Sequence, residues 1–158
     1  RGAAQGPEFA PPPRGSVLIA AGFHDNLALD GRSPERRPVA LWSGGRFGEE
    51  LADSLEQHCF QCAWGLYDAG RWEASHRVTL EQASPGSSEL GVEAARRAGL
   101  DLKPFSDSRT RMLSGDSSAA SIQWTEDGRL SVGAHARGED SARALAESIA
   151  RAMRGGRS

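Results

Sequence analysis

Cysteine, methionine, tyrosine and long hydrophobic runs are all scarce in this 158-residue chain. It contains 2 Cys, 2 Met and 1 Tyr. Its longest apolar run, Val17–Ala21, has the length of a strand and is far shorter than the roughly 20 residues that a membrane-spanning helix needs. The sequence therefore predicts a soluble protein without a membrane partner.

The scarcity of cysteine also bears on the compartment. Cys59 and Cys62 are too close together to staple a small secreted domain, whose disulfides normally close longer loops. We therefore expect a reducing compartment, such as the cytoplasm.

Charge of one sign is not in excess, because 19 basic residues face 21 acidic ones and the net charge is −2. Such a chain has no global field that would attract nucleic acid, so a nucleic-acid partner is not expected. One region is locally basic, and Phe105 is the only aromatic residue there that could stack on a base. We interpret this region as a solvated face; its basic residues are Arg96, Arg97, Lys103, Arg109 and Arg111.

Length and residue patterns predict one α+β domain over residues 16–155, with a mixed or antiparallel sheet of about five strands and three helices. A proline-rich extended arm precedes it over residues 1–15, and a short polar tail follows at 156–158. The segments 121–124 and 130–135 alternate as a hairpin, and an amphipathic helix follows at 141–154 with Asp140 as its cap. We therefore expect the domain to end in a ββα unit.

Earlier segments give a less regular pattern. The predicted strands are Val17–Ala21, 39–42 and 76–82. The segment 24–37 is a predicted loop, and 89–98 is a predicted helix that ends at Gly99. A longer helix is expected over about 49–66.

The glycine-rich segment before that longer helix is a candidate phosphate site. Gly44, Gly45 and Gly48 could bring backbone N–H groups to an anion at the helix N-terminus, with Arg46 adding positive charge. Glu49 and Glu50, however, already complement the helix dipole there, and the spacing matches no known phosphate loop. A plain strand-to-helix turn is the simpler interpretation.

Cys59 and Cys62 form a Cys-x-x-Cys pair on the same helical stripe as Leu51, Leu55 and Leu66. This spacing favours two ordinary core cysteines. A redox pair and half of a zinc site are the alternatives. The chain offers no second close pair of ligands for zinc, and a redox pair would normally lie at a helix N-terminus.

No catalytic motif is present, since Ser114 to Ser118 lacks a nucleophile elbow and His24 beside Asp25 is a weak signal. We therefore expect no cofactor and do not favour an enzyme. The leading hypothesis is a non-catalytic protein-interaction domain or accessory subunit of a larger assembly, which would contact a protein partner through exposed aromatic residues. The alternative is a binding protein or enzyme for a phosphate-containing small molecule, which would use loop 44–48. The candidate interface residues are Phe9, Tyr67, Arg71 and Trp72.

Overall fold

A computed structural model describes residues 12–21, 26–32, 35, 37–43, 45–84, 86–125 and 127–155. The chain divides into two compact units, Arg1–His58 and Cys59–Ser158. Each unit contains one antiparallel sheet, so the α+β class is confirmed. The sequence predicted one sheet of about five strands, whereas the described residues form two sheets. The predicted strands 17–21 and 39–42 belong to the first sheet, and the predicted strands 76–82, 121–124 and 130–135 belong to the second.

The first sheet is an antiparallel meander in the order β1-β2-β3-β4. Its strands are β1 (Val17–Ala21), β2 (Asn26–Leu29), β3 (Val39–Ser43) and β4 (Arg46–Ala52). The predictions for β1 and β3 are confirmed, whereas β2 lies inside the segment predicted as a loop. The buried residues of this sheet include Ala28, Val39, Ala40, Trp42 and Ala52.

The predicted start of the long helix is wrong, because residues 46–52 form β4. Ser43 pairs with Arg46 across a two-residue turn, and Gly45 has φ 78°, a conformation that such hairpin turns require and that glycine adopts readily. The rings of Trp42 and Phe47 then meet edge to face at 4.9 Å. Pairing and aromatic packing therefore hold this segment in a strand.

The helix that follows is α1 (Leu55–Trp64), and the division between the two units falls within it. Ser54 starts it by accepting a hydrogen bond through its hydroxyl from the Gln57 N–H at 3.2 Å. A π-helical turn, Gly65–Ala69, continues the helix, and the Gly70 N–H closes it on the Gly65 carbonyl at 3.0 Å.

The second unit contains a five-stranded antiparallel sheet in the order β5-β9-β8-β7-β6. Its strands are β5 (Ala74–Leu80), β6 (Asp101–Leu102), β7 (Thr110–Ser114), β8 (Ser118–Trp124) and β9 (Leu130–Ala136). Strand β5 confirms the alternating pattern predicted near residues 76–82. Strands β6 and β7 lie outside the strands predicted from the sequence.

Two helices, α2 (Ser87–Arg97) and α3 (Glu139–Arg154), supply the main core of this unit together with the sheet. Helix α2 ends at Arg97, and Gly99 shortly after it has a φ of 83°, which supports the predicted stop. Leu113, Ile122, Leu130, Val132 and Ile149 are all buried. The predicted ββα unit is confirmed as β8, β9 and α3, although Gly138 and not Asp140 occupies the N-cap position.

Candidate functional site

The apolar stripe predicted for the helix after β4 lies at the surface and not in the core. Cys59 and Cys62 are both exposed, and Leu66 is 73% exposed. Leu55 is also exposed, and Leu51 belongs to β4. The interpretation of the two thiols as core residues is therefore wrong.

The physical reason is that α1 buries its opposite side. Trp64 lies in a cluster with Ala69, Met112 and Ala119, and its indole N–H donates to the Ser114 hydroxyl at 2.7 Å. A buried indole removes a large apolar area from water, and its polar atom has a partner here. The large aromatic side chain therefore determines which side of the helix faces the sheet.

A buried carboxylate supports the same orientation. The Gln61 side-chain amide donates to Asp107 Oδ2 at 2.9 Å, and both residues are buried. Asp107 Oδ1 accepts the backbone N–H groups of Arg109 at 2.9 Å and Thr110 at 2.7 Å. Sequence reasoning missed this aspartate. The only signal was its residue type, because an Asp side chain can accept hydrogen bonds from the backbone N–H groups two or three residues later in an Asx turn.

Polar contacts to Asp68 stabilise the π-helical turn. The Ser114 hydroxyl donates to Asp68 Oδ2 at 3.2 Å, and the Lys103 ammonium lies 4.0 Å from the same carboxylate oxygen. Ala69, the last residue of the turn, is buried. The serine that sequence analysis examined as a possible nucleophile thus bonds Trp64 on one side and Asp68 on the other, in a structural position.

The outward side of this segment is apolar. We use the name exposed face of α1 for Cys59, Phe60 and Cys62 of α1 together with Leu66 and Tyr67 of the π-helical turn that continues it; Phe60 is 48% and Tyr67 77% exposed. At the α-helical rotation of about 100° per residue, Cys62, Cys59 and Phe60 span an arc of about 160°. The Phe60 ring also stacks on Phe105, with ring centres 5.5 Å apart and planes 14° from parallel. The face is therefore continuous and is attached to the β6–β7 segment.

The remaining predicted interface residues follow the π-helical turn. Trp72 is half-buried against the Trp64 cluster, and the Arg71 guanidinium lies 4.6 Å from its ring centre. Arg71 also donates to the Gly115 carbonyl at 3.0 Å, while the buried Trp72 indole N–H has no hydrogen-bond partner. Phe9, the fourth predicted interface residue, lies outside the described residues.

The predicted phosphate loop does not precede a helix. Gly45 lies in the β3–β4 turn, Arg46 and Gly48 lie in β4, and Gly44 is outside the described residues. Because α1 begins only at Leu55, the loop does not lead into the positive end of that helix dipole, as the hypothesis assumed. The hypothesis of an anion site here therefore loses the physical basis on which it was made.

The locally basic region is partly neutralised by acidic neighbours. Arg111 lies 3.5 Å from Glu89 and also donates to the Asp107 carbonyl, and Arg97 lies 3.4 Å from Glu93 within α2. These contacts support the interpretation of a solvated face. His24 and Asp25, the weak catalytic signal, lie outside the described residues.

Burial shifts two histidines toward the neutral form. Burial lowers the pKa of His135, and the nearby Arg77 charge lowers it further. The pKa of His58 is likewise lowered by burial. Two aspartates are instead shifted toward the charged form. The Arg32 guanidinium lowers the pKa of Asp30. Hydrogen bonds from Arg129 and Thr125 lower the pKa of Asp127 to about 2.

Compared with protein-family models, curated proteins and solved structures, the chain matches none. Within the described ranges, no helix is long and apolar enough to cross a membrane. In that same part of the chain, no three His, Cys, Asp or Glu side chains converge as a metal site.

Proposed function

We propose that this chain is a non-catalytic protein-interaction domain that serves as an accessory subunit of a larger assembly. Its docking surface is the exposed face of α1, with Arg71 and Trp72 beside it in sequence. This proposal keeps Tyr67, Arg71 and Trp72 as interface residues and adds Phe60 and Leu66.

The observation that carries the proposal is the exposure of Leu66 and Tyr67, which are neighbours in sequence, on a helix whose other side is fixed. Isolated exposed apolar side chains are common on monomers, whereas contiguous ones mark interaction sites. Among the described residues, the large hydrophobic side chains that are exposed include Phe60, Leu66 and Tyr67. All three belong to this one face.

The anchoring beneath the face supports the same conclusion. Gln61 and Trp64 bind buried partners on β7 and the preceding turn, so the outward side chains project from a backbone that is already ordered. A preorganised surface loses less conformational entropy on binding. Tyrosine and tryptophan are also the residue types most often found at the energetic centres of interfaces.

Arg71 adds a polar edge to this surface. Its guanidinium is held by the Trp72 ring and the Gly115 carbonyl, so its orientation is set before a partner arrives. Arginine at such a position offers several donors to carboxylates or carbonyls of a partner.

The test is size-exclusion chromatography with light scattering on the tagged full chain in native extract. We expect the wild type to elute in a larger assembly and the double variant Leu66→Ser/Tyr67→Ser to elute as a monomer. Leu90→Ser is the matched control, because Leu90 is an exposed leucine on α2 and lies away from this face in the sequence. A wild-type chain that elutes as an unpartnered monomer would contradict the proposal.

A further inference from the structure

We propose that Cys59 and Cys62 form half of a zinc site, which is completed by the same two cysteines of a second copy of this chain. One Zn²⁺ then joins two copies through four thiolates. The inference rests on the proposed function, since it names the partner and the chemistry for the same exposed face of α1.

The exposed position of both sulfur atoms is the first step. Neither cysteine is in a disulfide, and both side chains are exposed on α1. A thiol used only as apolar filler would lie in the core, where cysteine is among the most buried residue types. Two thiols three residues apart on one exposed helix side are instead positioned to bind a ligand together.

Helix geometry favours a shared metal ion over a disulfide. Side chains three residues apart on a helix have Cβ atoms about 5–6 Å apart, whereas a disulfide needs about 3.5–4.5 Å. Two thiolates on one tetrahedral zinc ion, each about 2.3 Å from the metal, have sulfur atoms about 3.8 Å apart. The intact α1 can therefore place both sulfur atoms on one ion, while a disulfide would require the helix to distort.

The count of ligands requires two more from another chain, and a second copy of this chain carries the same pair. Structural zinc sites are closed by four protein ligands, and in the described part of the chain no group of three His, Cys, Asp or Glu converges. A second copy related by a two-fold axis through the ion supplies the same two thiolates again. Such an isologous arrangement is the commonest form of protein dimer.

The surroundings of the thiols fit burial against a like surface. Leu66 lies one helical turn after Cys62, and Tyr67 and Phe60 continue the apolar arc. A two-fold contact at the cysteines would place these side chains against their counterparts and remove them from water. The net charge of −2 per chain opposes such pairing only weakly.

Binding involves no redox step. Four thiols and one Zn²⁺ give a tetrathiolate complex with a net charge of −2, and the four protons pass to the buffer. Because the thiolate is the ligand, affinity for zinc falls as the pH is lowered.

The experiment uses the full chain, reduced and stripped of metal, and titrates it with Co²⁺ and then with Zn²⁺. We expect the visible absorption of tetrahedral Co²⁺ with thiolate ligands to saturate at one ion per two chains, and Zn²⁺ to displace it. Light scattering is expected to show the mass doubling over the same range of added metal. The double variant Cys59→Ser/Cys62→Ser is expected to lose both responses.

Gly65→Ser is the matched control, because a side chain at Gly65 meets no atom within 4 Å and both thiols remain. It is expected to behave as wild type. Thermal unfolding of the metal-free double variant, expected to match wild type because the thiols are exposed, shows whether that variant is folded. No metal binding, one ion per chain without a change in mass, or equal binding by the double variant would overturn the inference.

The outcomes also separate this inference from the proposed function. If an assembly forms without metal and persists in the cysteine variant but is lost in Leu66→Ser/Tyr67→Ser, the zinc site is overturned and the docking surface stands. If no association is observed under either condition, both are overturned.

Discussion

The imidazole of His135 lies edge-on to the indole of Trp64, with ring centres 6.2 Å apart, at a half-buried position on β9. Burial and the Arg77 charge both favour the neutral ring, so its pKa is lower in the folded chain than in the unfolded one. His58 shifts in the same direction through burial. At these two residues, protonation acts against folding.

The expected consequence is a loss of stability on mild acidification. Below about pH 6.5 the unfolded chain binds protons that the folded chain does not, so the free energy of unfolding falls as the pH falls toward the folded-state pKa. The lowered pKa values of Asp30 and Asp127 act in a separate window, because their contribution is lost only below about pH 4. Urea denaturation between about pH 7.5 and 5.5 measures the histidine effect.

His135→Gln is expected to reduce this pH dependence. Ser75→Gln is the control, because Ser75 is the exposed cross-strand neighbour of His135 and its replacement removes no titratable group. An identical pH dependence for His135→Gln and wild type would show that burial of this ring has no such role.

At the scale of the element, α1 and the π-helical turn present a large aromatic side chain inward and a leucine outward. The helical period alone groups the apolar residues of this segment into one stripe, and that stripe is the exposed one. Trp64 and Gln61 lie on the other side because each has a matched partner there, Ser114 and Asp107. The element is thus oriented by specific contacts and not by the number of apolar residues on each side.

This orientation predicts opposite outcomes for two substitutions close together in the chain. Trp64→Ala removes a buried ring and is expected to lower the free energy of unfolding by about 3–5 kcal/mol. Leu66→Ala changes a side chain that is mostly in water. This substitution is expected to change the free energy of unfolding by less than about 0.5 kcal/mol. Urea denaturation at constant pH measures both. A large cost for Leu66→Ala would mean that this leucine is in the core after all.

At the scale of the whole molecule, the two units differ in how much apolar side chain they bury. Among the described residues of the second unit, the main hydrophobic cluster comprises fourteen buried residues, which include Leu113, Ile122 and Ile149. The buried residues of the first sheet are mostly small, with Trp42 the largest of them. Since apolar burial is the dominant favourable term in folding, the second unit is expected to be the more stable.

Hydrogen exchange read by mass spectrometry tests this expectation. Strands β8 and β9 are paired on both sides within their sheet, so their amides open only when the unit unfolds. We expect them to exchange most slowly in the chain and β1–β4 to exchange faster. Slower exchange in the first sheet than in β8 and β9 would contradict this ranking.

The local sequence pattern was sufficient to predict an element where one kind of spacing or residue type dominated the segment. The alternating residues of β8 and β9, the stripe of α3 and the stop at Gly99 all follow from spacing and glycine chemistry, so the ββα unit could be predicted. The same holds for β1 and β3, whose short apolar runs are typical of strands.

The amino-acid sequence by itself determined the α+β class, the C-terminal ββα unit and the presence of an apolar stripe that includes Cys59, Cys62 and Leu66. Only the tertiary structure decided that residues 46–52 pair as β4 and that the stripe faces outward. The reason is that both outcomes depend on contacts between residues far apart in the chain or across a turn, such as Gln61 with Asp107 and Trp64 with Ser114. Helical spacing identifies a face, but the partner available on the sheet determines whether that face is buried.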